Sequence, residues 1–86
     1  MEKLRKKHEV WKEMGIKKGD IIADWIIPYN QPFPDLEVAI RYAKLAVDKK
    51  FKDAGIVPEC IDVFQNVEVI EGVCGVYVIG VHKQDS

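Results

Sequence analysis

Two long runs of strand-forming residues, separated by nothing more than Glu71-Gly72, limit what this 86-residue chain can fold into more than any other feature. Glu59 to Ile70 and Val73 to His82 read as the arms of a β-hairpin with a two-residue turn, because such runs bounded by a Gly-containing pair favour direct antiparallel return. So short a turn sets Ile70 opposite Val73 and predicts the pairs Val69 with Cys74, Val67 with Val76, Gln65 with Val78, Val63 with Gly80 and Ile61 with His82. That face is mostly apolar. The other face pairs Glu68 with Gly75, Asn66 with Tyr77, Phe64 with Ile79 and Asp62 with Val81, a mixture of charge and aromatic surface. Cys60 and Cys74 fall on opposite faces, so both are expected as free thiols.

Upstream, Leu4, Val10, Trp11 and Met14 recur at helical spacing, which predicts a helix from Glu2 to Met14 stopped at Gly15. After the turn Lys17-Lys18-Gly19-Asp20, the β-branched run Ile21 to Ile27 predicts a strand ended by Pro28. Three prolines in Pro28-Tyr29-Asn30-Gln31-Pro32-Phe33-Pro34 favour extended backbone and forbid helix. Asp35 can then cap a long helix from Leu36 to Ala54. At about 100° per residue, Leu36, Ala39, Ile40, Ala43, Val47 and Phe51 form one apolar stripe of this helix. Val38, Tyr42 and Leu45 form a second stripe on its far side.

These elements predict an α+β fold within one domain, residues 1–86: a basic N-terminal helix and turn over 1–18, then a β-α-β-β core over 19–86. A right-handed crossover through the long helix makes the first two strands parallel. The charge-free last strand belongs in the middle, giving a three-stranded mixed sheet of order 1-3-2 packed on one long helix. The second sheet face must be closed by the N-terminal helix or by another subunit.

Composition narrows the chemistry. The chain has no threonine and its one serine is Ser86, which argues against a serine or threonine nucleophile and removes the hydroxyl of a phosphate-binding Walker loop. No dinucleotide-type glycine run is present. Cys74 and His82 share a face but stand about 27 Å apart at about 3.4 Å per residue, so no metal site is expected within one chain. The charge-free stretch from Val73 to Val81 is too short to cross a membrane, and a cytoplasmic location is expected.

The best ligand-site candidate is the proline-aromatic loop, where Tyr29, Asn30, Phe33 and Asp35, with Trp25 on the preceding strand, offer stacking faces and amides for a small planar molecule. No cofactor is assigned. Surplus apolar surface points to a homo-oligomer without catalytic activity, or to a protein partner, with Val38, Tyr42, Leu45, Phe64, Tyr77 and Ile79 as the interface. Two alternatives remain. Residues 1–18 hold seven basic against three acidic groups while the whole chain is at -1, which would suit nucleic-acid binding through the first helix. Asp24, a carboxylate on an apolar strand, reads either as an outward edge charge or as the partner of His82 in an enzyme.

Overall fold

The computed structural model describes residues 5–30 and 35–84, with side chains throughout except at 69 and 70. The elements are β1 (Arg5–Lys6), α1 (Lys7–Met14), β2 (Ile21–Pro28), α2 (Leu36–Asp53), β3 (Cys60–Ile70) and β4 (Val73–His82). The α+β class is as expected, with a mixed sheet of four strands rather than three, in the order β1-β3-β4-β2. Among the three long strands the first and second flank the third, as the hairpin and the charge-free β4 demanded. The added strand is β1, which pairs parallel with β3 through Arg5 opposite Val67 and Lys6 opposite Glu68. Arg5 and Lys6 are good helix formers, so here the hydrogen bonds offered by the outer side of β3 override local propensity. The first helix is correspondingly shorter than its periodicity suggested.

Both faces of the sheet are covered by helices. On one side Ala43, Val47 and Phe51 of α2 are fully buried with Ile27, Val76 and Val78, joined by Ala23, Ile61 and Val63. Gly80 lets this helix settle, since a β-carbon there would stand 2.7 Å from the Phe51 ring and 2.9 Å from Val47. On the other side Val10 of α1 is buried with Val67, Tyr77, Ile79 and Val81, and Trp11, Met14 and Ile16 pack around them. Gly15, at φ 71°, terminates α1, and the following Ile16 N–H returns to the Trp11 carbonyl at 3.1 Å.

The second face is therefore closed from within the chain. Tyr77 and Ile79, expected at a subunit interface, have no exposed surface, and Phe64 packs against the same cluster. That part of the expected interface is corrected: α1 occupies the place assigned to a partner.

The hairpin register is corrected as well. Ile70 does face Val73, but irregularities between Glu68 and Ile70 and between Phe64 and Val67 each insert one residue into β3. Beyond them Val63 faces Val78 and Ile61 faces Gly80, two positions from the uniform register. Each bulge exchanges the faces of the residues that follow. Two bulges restore Ile61 and Val63 to the α2 side, while Val67 between them turns to the α1 side. Asn66 accommodates the larger irregularity at φ 58°, a conformation asparagine tolerates better than most residues. Cys60, beside Val81, and Cys74, beside Glu68, remain on opposite faces, and both are free thiols.

Candidate protein-contact surface

α2 begins at Asp35, whose carboxylate accepts the Glu37 amide N–H at 2.9 Å, and its periodicity divides it into two lengthwise halves. With Ala43, Val47 and Phe51 turned to the sheet, Val38, Tyr42 and Leu45 point away from it. They are 54%, 71% and 64% exposed. Isolated apolar side chains on a surface are ordinary, but three in one line on the ridge of a helix form a contact-ready strip. Its flank carries Glu37, Arg41, Lys44, Asp48 and Lys52, and Lys49 continues the ridge. Lys52 donates to Asp48 at 3.1 Å.

Where α2 passes β2, a second feature appears that the sequence pattern did not single out. The Tyr29 N–H donates to the Cys74 carbonyl at 3.1 Å, so the peptide groups of the odd-numbered residues of β2 point toward β4. By alternation, the peptide groups of Ile22, Asp24 and Ile26 face the outer edge, where no strand pairs among the described residues. Lys50 of α2 lies across this edge: its Nζ donates to the Asp24 carbonyl at 3.0 Å and stands 5.7 Å from the centre of the Trp25 ring. A lysine occupying an edge carbonyl blocks addition of another strand. Trp25, 42% exposed, stands at this edge beneath Lys50. Finding Lys50 required knowing which flank of α2 overlies β2, and that is a property of the packed chain.

The described residues of the loop make contacts within the fold. The Tyr29 hydroxyl accepts the Asn66 N–H at 3.2 Å and donates to its side-chain oxygen at 3.4 Å, so Tyr29 straps the end of β2 to the bulge in β3. Asn30 is exposed beside it. Asp35 fills the start of α2 with its own carboxylate. Phe33 lies outside the described residues.

Asp24 and His82 do not pair. Asp24 sits opposite Ile79 on the α1 face, whereas His82 sits opposite Ile21, three positions away on the other face. The His82 Nδ1–H donates to the Val57 carbonyl at 2.7 Å. Asp24 instead ends a polar chain through the α1-side core: Trp11 Nε1–H donates to the Tyr77 hydroxyl at 2.8 Å, and that hydroxyl donates to Asp24 Oδ2 at 2.6 Å. Burial first, and donation to the Asp24 carboxylate second, push the Tyr77 hydroxyl up, so the phenol stays protonated. This is a structural brace tying α1, β4 and β2 together. Tyr77→Phe should leave the Trp11 N–H and one Asp24 oxygen without their partner. We expect a loss of about 1–3 kcal/mol in urea unfolding. An unchanged midpoint would show that water replaces the hydroxyl without loss.

The basic start is also partly spent. Arg5 is bound to Glu13 at 2.8 Å, and Glu9 and Glu13 alternate with Lys12 along α1. Lys83 pairs with Asp20 at 3.2 Å. The Lys17 amide first, then the Gln84 amide and Lys83, hold that carboxyl below the usual range. Among the described residues, no three histidine, cysteine or acidic side chains converge as metal ligands, and no helix is long and apolar enough to cross a membrane. Comparison with protein-family models, with curated proteins and with solved structures gives no match.

Proposed function

We propose that this chain is a non-catalytic binding domain that acts through protein contacts made by the outer ridge of α2. The observation that carries the reading is the line Val38, Tyr42, Leu45: three large apolar side chains turned to water on the most regular element of the fold. Apolar area removed from water stabilises a complex by about 25 cal/mol per Å², so an exposed strip of this kind favours association. The buried half of the same helix already satisfies the core, so the strip is not required for folding. A planar ligand at the loop is the weaker reading, since the Tyr29 hydroxyl is engaged by Asn66 and the Asp35 carboxylate by the Glu37 amide. Nucleic-acid binding by α1 is disfavoured by its interleaved acids and by the Arg5–Glu13 pair.

Photo-crosslinking tests the proposal directly. A benzophenone amino acid replaces Tyr42 in one variant and Lys12 in another, and both are irradiated in expressing cells. Position 42 is expected to yield discrete protein adducts while position 12, on the far side of the sheet, yields none. Absence of adducts at 42, or equal adducts at both positions, would overturn the reading.

A further inference from the structure

Resting on that reading, we propose that the partner of the α2 ridge is a second copy of this chain, with the two α2 helices antiparallel about a two-fold axis beside Leu45. The argument is one of charge order. Along the flank of the ridge, α2 runs Glu37, Arg41, Lys44, Asp48, Lys52, read at helical spacing of three to four residues. A two-fold axis perpendicular to antiparallel helices brings this same flank of both copies together in opposite directions. With the axis beside Lys44 and Leu45, Glu37 of each copy meets Lys52 of the other, and Arg41 meets Asp48. Each pair occurs twice, so four opposite-charge contacts line the interface. Lys44 alone approaches its own copy, at the axis, where a long solvated side chain can turn outward. A parallel pairing, whose two-fold axis runs along the helices, places this flank on opposite sides of the interface and makes none of the four contacts.

Two residues of the apolar line, Tyr42 and Leu45, lie at this axis, while Val38 falls beside the aliphatic stems of Lys49 and Lys52 of the other copy. Leu45 falls beside its own copy, and Tyr42 on either side of it faces the stretch between Leu45 and Lys49 of the other chain, where an ammonium over a tyrosine ring is favourable. Helix dipoles also oppose one another in the antiparallel arrangement, with the acidic first turn of each near the basic last turn of the other. The Lys52–Asp48 pair within one copy joins an exposed lysine to a half-buried carboxylate that still reaches solvent, so its exchange for contacts across the interface costs little. An interface made by one helix face lies at the small end of the size range for specific complexes, so the dimer is expected to be reversible and dependent on concentration.

Sedimentation equilibrium of the purified chain, from micromolar to millimolar concentration, is expected to show monomer–dimer exchange. Glu37→Lys and Lys52→Glu should each weaken it about tenfold, because the two-fold axis makes every reversal count twice. The double variant Glu37→Lys/Lys52→Glu should recover most of the loss. In a Cys60→Ser/Cys74→Ser background, Leu45→Cys should oxidise to a linked dimer, whereas Val38→Cys, whose symmetry mate lies far along the helix, should not. A chain that stays monomeric throughout overturns the self-pairing, as does a dimer indifferent to the charge reversals or one linked equally through Val38→Cys. If photo-crosslinking at position 42 captures other proteins while the pure chain is monomeric, the self-pairing falls and the contact surface stands. If it captures nothing, both fall.

Discussion

Val47→Asp abolishes cooperative thermal unfolding of the domain, whereas Leu45→Asp, two positions along the same helix, leaves its melting temperature within a few degrees of the parent. This contrast is the largest expected from any pair of neighbouring substitutions here. Val47 has no exposed surface and packs against the sheet over Gly80 of β4. Among the described residues a carboxylate there is surrounded by apolar side chains with no buried cation, and leaving a charge buried without a partner costs about 4–5 kcal/mol or more. A chain of this length has roughly 4–13 kcal/mol of stability in all, so the folded state does not survive at ordinary temperatures. Leu45 faces water, and surface substitutions of that kind stay within about 0.5 kcal/mol. Tyr42→Asp should behave like Leu45→Asp, and the half-buried Ile40→Asp should fall between the extremes. Circular dichroism melts of the four variants decide the matter. Equal loss of folded signal in all of them would mean that the outer ridge is packed against something inside the chain.

That the two stripes of α2 could be told apart in the sequence reflects the regularity of a helix, where residue spacing alone fixes direction. The ends of β4 and the Glu71-Gly72 turn were legible for a similar reason: a run of β-branched residues without charge leaves few alternatives. The register of β3 was not, because a bulge is set by one residue's tolerance for positive φ and by what stabilises it. At Asn66 that stabiliser is the Tyr29 hydroxyl, 37 residues away in sequence. The pattern of Tyr77 was ambiguous in the same way. An aromatic residue with a hydroxyl on a mixed face suits either a partner's surface or an internal hydrogen bond, and the choice was made by Trp11 and Asp24. Arg5 and Lys6 show the converse, a segment of high helical propensity held extended by an available strand edge. The exposed ridge of α2 was thus visible from local spacing, while the edge guard at Lys50 and the brace at Tyr77 depended on which elements packing brings together.

Gly75→Ala should destabilise the fold more than Gly80→Ala, although both glycines lie buried in the central strand. A β-carbon on Gly75 would fall 2.2 Å from the Ile27 carbonyl oxygen and 2.8 Å from the Pro28 Cα. These are backbone atoms of β2, so no rotamer change relieves the clash, and the end of β2 must separate from β4. The displacement would strain the Tyr29 N–H bond to Cys74 and the strap from the Tyr29 hydroxyl to Asn66. At Gly80 the nearest atoms belong to Phe51, Val47 and Ile61 side chains. These are tightly packed, but α2 can rise slightly from the sheet to admit a methyl group. Overpacking of a core typically costs about 1–3 kcal/mol, and the backbone clash places Gly75→Ala at or above the top of that range. Urea unfolding gives the comparison. Amide exchange locates it: in Gly75→Ala the Tyr29 and Asn66 amides should lose protection before those at the middle of β4, since the damage begins where β2 meets the bulge. Retained protection at Tyr29, or a larger loss for Gly80→Ala, would show that the end of β2 yields without strain and that the seat of α2 is the tighter of the two contacts.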